Sequence, residues 1–434
     1  MNHLIVVKYI LTNFAIQYYK TISMKTRILS YFLASIIFLS VFSSCELGNN
    51  GDDDQPIDKY LVSYEVQKTY LKVYISTILD QVSDSYPDLE SIINYVENGV
   101  TIYKISYITT FNGEDHLASG LVCVPLGVGT YPVLSYQNGT NTEHSKAPSV
   151  NPDNELFLLL EFMASTGFIV TIPDYLGFGD ADDMFHPYLD KKSTVQSIID
   201  MQRAVKEMVN NYLEVDMNDD LYIIGYSQGG WATLQLQKAI EDDYSTMFNL
   251  KASACGAGPY NLNYINEYIF EQTDYPMPYF IGYMFNSYIN LGLTTPASEV
   301  FKAPFDTKIS TLFDGTNAGE AINMQLTTRV TDLFTANFIA NYNTDVIFAP
   351  TIAMLNENSI EAWKTTTPTM LLHGTADTYV PPMGTNRIFQ DFQNLGVGPN
   401  TITMIPLQGK THQSGIIPSG VTAINWFLEL KNAE

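Results

Sequence analysis

Basic residues are scarce in this chain. Its 434 residues include 22 Lys and Arg against 46 Asp and Glu, a formal charge of −24. The first 44 residues hold Lys8, Lys20, Lys25 and Arg27 and no acid, so the remainder is more negative still. Such a surface repels phosphate backbones and anionic bilayers, which excludes nucleic acid as a partner. Cysteine is scarce as well, at three residues, with no disulfide framework and no metal-ligand spacing. Cys123 and Cys255 sit in apolar runs, "SGLVCVP" and "KASACGAG", and read as small buried hydrophobes. No internal repeat is present. Histidine is limited to six residues, which narrows the choice of any imidazole base.

The third cysteine has a different setting. "MKTRILSYFLASIIFLSVFSSC" starts at Met24 with a basic segment, continues through an apolar stretch and ends in small residues before Cys45. This is a signal-peptide layout. Its Ser-Ser-Cys end resembles the lipobox of bacterial lipoproteins, with Phe42 departing from the usual aliphatic residue. The resemblance implies acylation of Cys45, anchoring in the cell envelope at the outer membrane, and a membrane partner through lipid. "ELGNNGDDDQP" after it reads as a flexible acidic tether.

The expected organisation is a leader and signal over 1–44, the tether over 45–56, core over 57–258, an insertion over 259–367 and core again over 368–434. "KYLVSYEVQKTYLKVYISTILDQV" carries apolar residues at helical spacing and predicts a helix. "TIYKISYITTFNGEDHLASGLVCVP" predicts a hairpin turning at Asn112-Gly113. From there short buried strands alternate with helical segments. That order implies an α/β fold, a mostly parallel sheet with helices on both faces. The segment 259–367 breaks the rhythm and reads as a mostly helical cap. Its Tyr260, Tyr264, Tyr268, Tyr279, Phe280, Tyr283 and Phe285 are set either to line a substrate pocket or to pack the cap itself.

One stretch carries the chemistry. In "LYIIGYSQGGWATLQLQ", strand-forming Leu221–Ile224 run into Gly-Tyr-Ser-Gln-Gly and then directly into a helix. That is the layout of a nucleophile elbow with Ser227 at its apex. A serine hydroxyl needs a base, and the base needs an acid to fix its tautomer. "LLHGTADTYVP" offers Asp377 after one later strand, and "MIPLQGKTHQSG" offers His412 after the next. Among the six histidines His412 alone has the order and setting for the base, whereas His373 reads as shaping the turn at Gly374. The backbone amide of Gln228, at the start of the helix, points where an oxyanion would develop.

"YPVLSYQNGT", "TIPDYLGFGDA", "GYSQGGWA", "PTMLLHGTADTYVP" and "GKTHQSG" together resemble the α/β-hydrolase superfamily, in its secretory-lipase, lipase A-like branch. The resemblance covers roughly Thr101 to the C-terminus. It implies Ser227 as nucleophile, Asp377 as acid and His412 as base. It also implies a second oxyanion donor from the backbone of Thr140, with Gly139 next, although Asn138 stands where relatives carry His. Asp174 matches a motif read as structural. The implied activity is carboxylic-ester hydrolysis through an acyl-enzyme, on a small-molecule, glycan or lipid ester, with no cofactor and no metal. A prolyl-oligopeptidase-like peptidase and a non-catalytic glycan- or lipid-binding surface protein are the alternatives.

Overall fold

The computed structural model describes residues 58–433. Cys45 and the expected leader and tether lie outside the described residues. A nine-stranded sheet runs β1 (Leu61–Tyr70), β2 (Gly99–Phe111), β3 (Glu114–Leu126), β5 (Ile169–Pro173), β4 (Thr130–Gln137), β6 (Asp216–Tyr226), β7 (Asn249–Gly256), β8 (Thr369–Gly374) and β9 (Ile402–Leu407). The first three strands and the β3–β5 pair are antiparallel; every pair from β5 through β4 to β9 is parallel. The sheet is therefore that of an α/β-hydrolase.

The hairpin forms as the sequence indicates. Phe111 pairs with Glu114, and Asn112 (φ 53°) and Gly113 (φ 84°) both take the left-handed conformation that a two-residue turn of this kind requires. The segment before it corrects the sequence reading. Residues expected as one helix divide into strand β1 and helix α1 (Lys72–Ser83). Val62, Tyr64 and Val66 also alternate at period two, and β1 gains the free edge of β2 as a backbone partner, with Tyr64 packing its ring on Tyr103 and Tyr212. An edge strand stays largely exposed, so its apolar alternation was masked by the helical spacing around it.

The strands alternate between two cores. Leu134, Tyr222 and Ile224 face α1, α2 (Leu89–Ile93), α3 (Glu155–Phe162) and the final helix. Val133, Leu221 and Ile223 face α4 (Lys191–Tyr212) and part of α5 (Gln228–Ala239). On α4, Ile198, Ala204, Val205, Met208 and Val209 are buried, whereas Tyr212 is exposed and its hydroxyl donates to Asp58. Between β7 and β8 come α6 (Leu262–Phe270), α7 (Pro278–Asn290), several shorter helices and α8 (Ala349–Asn358). They build their own aromatic core, in which Phe338 touches Phe270, Phe285, Phe334 and Phe348. α9 (Pro382–Asn394) and α10 (Ile416–Asn432) complete the fold. Cys123 and Cys255 are free and buried. No helix among the described residues is long and apolar enough to cross a membrane.

Candidate active site

The turn from β6 into α5 is as tight as its glycines permit. A Cβ added at Gly225 would lie 2.3 Å from Gly229 O, and one at Gly229 would lie 1.9 Å from Gln137 O. Between them Ser227 holds φ 60° and ψ −122°, a conformation L-residues rarely adopt, with its amide donating to Gly256 O at 2.8 Å. Glycines on both sides are thus required for the chain to fold back without collision, and the serine side chain is left at the apex.

β8 and β9 end beside that apex. Their loops bring Asp377 and His412 to Ser227 in one hydrogen-bonded chain. Ser227 Oγ lies 2.9 Å from His412 Nε2, and His412 Nδ1 lies 2.6 Å from Asp377 Oδ2. All three residues are buried. The other oxygen of Asp377 accepts from the amides of Tyr379 and Val380 at 2.8 and 3.0 Å. Burial by itself would raise the proton affinity of this carboxyl, but hydrogen bonds from His373 and His412 outweigh it and hold the pKa well below the usual carboxylate range. Asp377 is therefore ionised, and a carboxylate only accepts, so the proton of His412 resides on Nδ1. Nε2 is left with a lone pair toward the serine hydroxyl. Tyr226, the residue before Ser227, donates its hydroxyl to His412 O at 2.7 Å and fixes the backbone of that loop.

Gln228 opens α5, so its amide is among the first-turn N–H groups that a helix cannot pair internally. Thr140 lies in the loop after β4, its Oγ1 2.9 Å from Tyr188 Oη. Neighbouring Asn138 donates its side-chain amide to Pro173 O and so ties that loop to β5. Asp174 is buried and accepts from Ser119 Oγ at 2.6 Å and from the Ser149 amide at 2.8 Å, a turn-fixing position. Cys45 lies outside the described residues.

Two histidines have contacts that the sequence reading did not assign. His373 Nε2 lies 3.1 Å from Asp377 Oδ2 and 3.0 Å from Val380 O, and its Nδ1 lies 2.6 Å from Thr385 Oγ1. Facing two acceptors, Nε2 carries the proton. The spacing of His373 to Asp377 was the available signal, since both flank one short loop. His186 Nε2 lies 3.0 Å from Gln228 Nε2, and nothing in "MFHPYL" by itself pointed to that pairing.

A cavity opens over Ser227, between the sheet edge and the inserted helices. Its wall includes Tyr188, Leu262, Ile265, Tyr275, Phe280 and Met284. Of the seven aromatics singled out in the insertion, Phe280 lines it, whereas Tyr260, Tyr283 and Phe285 are buried in packing. A roomier cavity, about 710 against 450 Å³, lies under α3 and α10; it is almost wholly apolar and includes none of Ser227, Asp377 and His412. Among the described residues no cluster of side chains is arranged to hold a metal ion.

The sequence matches the secretory lipase family over residues 142–432. No curated protein matches it significantly. Its fold is similar to that of a Legionella pneumophila protein, 25% identical, with a TM-score of 0.76 over 87% of this chain and 99% of the other. It is also similar to the rice cell wall degrading esterase LipA of Xanthomonas oryzae, 23% identical, with a TM-score of 0.70 over 86% and 97%. Candida antarctica lipase A is more distant, 16% identical, with a TM-score of 0.59 over 84% and 82%.

Proposed function

The chain belongs to the secretory lipase family and is a carboxylic ester hydrolase; from that premise we propose that it works through an acyl-enzyme on Ser227. The observation that carries this reading is the chain Ser227–His412–Asp377 at a strained elbow. His412 Nε2 takes the Ser227 proton as Oγ bonds to the ester carbonyl carbon. The carbonyl π electrons move to oxygen, where the amide of Gln228 and that of Thr140 stabilise the negative charge. On collapse the C–O bond to the alcohol breaks, and His412 returns its proton to the leaving oxygen. Water then repeats the sequence and releases the acid. Asp377 remains ionised throughout and stabilises the imidazolium.

The wall of the cavity over Ser227, aliphatic and aromatic apart from tyrosine hydroxyls and Asn266, suits an apolar acyl group. The likeness to an esterase that degrades plant cell wall supports a glycan-borne ester as one substrate class. Replacement of Ser227 or His412 by Ala is expected to lower turnover of p-nitrophenyl butyrate by roughly 10⁴–10⁶-fold while the fold survives. Near-normal turnover by Ser227→Ala would refute the mechanism. Efficient cleavage of Ala-Pro anilides with ester turnover at background would favour a peptidase instead.

The same premise, a secreted family, accords with the lipobox-like end of the signal segment. We infer that Cys45 is acylated and that the folded part hangs from the envelope by the acidic tether.

A further inference from the structure

In the segment His186-Pro187-Tyr188, the two aromatic rings between them touch both of the residues assigned to the oxyanion and the inserted helices. His186 is buried, with Nδ1 2.7 Å from Leu176 O. A carbonyl accepts only, so Nδ1 carries the proton, and Nε2 is an acceptor for the Gln228 side-chain amide at 3.0 Å. Burial pushes the pKa of this imidazole down to about 4, so the ring stays neutral and the polarity of this chain is fixed at neutral pH. Gln228 is itself buried, and its side chain is anchored here while its backbone opens α5. Two residues further on, the Tyr188 hydroxyl lies 2.9 Å from Thr140 Oγ1.

Both rings rest on one side chain of the insertion. Tyr283, on α7, stacks on Tyr188 with centroids 4.6 Å apart and planes 10° apart, and it packs against His186 at 5.6 Å. Its other face stacks on Phe313 at 4.7 Å, so the ring is held from both sides. Tyr288, one and a half turns along α7, donates its hydroxyl to Leu189 O at 3.2 Å. Tyr188 and Leu189 also line the cavity over Ser227. Substrate in that cavity therefore meets Tyr188, the residue that holds Thr140.

We propose that His186-Pro187-Tyr188 is a positioning element for ester hydrolysis, which ties both oxyanion residues to α7 so that the seating of the cap sets the two amide donors. This rests on the assignment of Ser227 as nucleophile with Gln228 and Thr140 at the oxyanion. A donor displaced by a fraction of an ångström still admits substrate but binds the tetrahedral oxygen less well. The element thus acts on the transition state and leaves ground-state binding nearly untouched.

The test compares Tyr188→Phe, Tyr283→Leu and Tyr283→Phe with the parent protein and with Ser227→Ala. Tyr188→Phe removes one oxygen and keeps the ring stack, so it reports on the Thr140 tether without disturbing packing. Tyr283→Leu removes the stack, and Tyr283→Phe retains it. The readouts are kcat and KM on p-nitrophenyl butyrate and the inhibition constant of an alkylboronic acid, whose tetrahedral adduct places an oxygen at the oxyanion position. Tyr188→Phe and Tyr283→Leu are expected to lose kcat by roughly ten- to a hundredfold with KM within about twofold. Boronate affinity should fall by the same factor as kcat/KM, and Tyr283→Phe should behave as the parent. Parent-like kcat in both Tyr188→Phe and Tyr283→Leu, in a protein whose Ser227→Ala form is inactive, overturns the proposal and leaves the ester-hydrolase mechanism standing. A rise in KM with kcat and boronate affinity unchanged overturns it as well. Activity that survives Ser227→Ala overturns the underlying assignment instead.

Discussion

Ser227 holds a backbone conformation that costs of the order of 1–3 kcal/mol, and the surrounding turn sustains it. The serine was legible in the sequence because the elbow is a local pattern. Asp377 and His412 were legible because strand order fixes where later loops end. The partners of His186 were not, since its contact with Gln228 spans 42 positions and depends on packing. Glu161 was invisible for a similar reason. It lies on the buried side of α3, a helix that is apolar between Glu155 and Glu161, and among the described residues neither carboxyl oxygen has a hydrogen-bond partner. Desolvation raises its pKa to about 8. The folded state therefore keeps a proton that the unfolded chain releases between about pH 4.5 and 8, so this residue withdraws stability as pH rises through that window. His186 acts at the other end: its pKa of about 4 lies below the ordinary 6.5, so stability is withdrawn as pH falls between those values. Glu161→Gln carries no titrating group. The Tm of this variant relative to the parent should increase from pH 5 to pH 8 by calorimetry; a difference independent of pH would contradict the burial argument.

At the scale of elements, the β6–α5 unit sets the site and its glycines set the unit. The sequence foretold this strand-to-helix switch and the hairpin, because each has a clear local turn signal. It misread β1 because an exposed edge strand takes its stability from β2 rather than from burial. The seven aromatics of the insertion were ambiguous for a related reason: Tyr and Phe serve packing and pocket alike, and only the three-dimensional arrangement separates Phe280 from Tyr283. Two glycines make the unit testable. Gly229→Ala forces a Cβ to 1.9 Å from Gln137 O, whereas Gly113→Ala meets nothing within 4 Å and is opposed only by its positive φ. The first should cost about 3 kcal/mol or more and abolish ester turnover, and the second about 1 kcal/mol with turnover retained. Denaturant titration and an ester assay on both would check this. Equal and small losses would mean that the elbow has more freedom than its contacts allow.

For the molecule as a whole, acidity and anchoring belong together. A body of formal charge −24 is repelled by anionic lipid, so attachment to a membrane needs a hydrophobic anchor rather than a basic patch. The acylation proposed at Cys45 would supply one. Cells fed labelled palmitate should incorporate label into the parent protein and not into Cys45→Ala, and absence of label from the parent would refute the anchor. The central claim concerns the body itself, that esters are cleaved through a covalent bond to Ser227. An alkyl fluorophosphonate reacts with a serine only where a base and an oxyanion site activate it. Incubation of the parent protein with this reagent, followed by peptide mass spectrometry, is the most direct measurement. The account predicts one equivalent of phosphonate per chain on Ser227, loss of ester turnover in step with labelling, and no label in Ser227→Ala or His412→Ala. Label on a different residue, or full turnover after Ser227 has been modified, would contradict it.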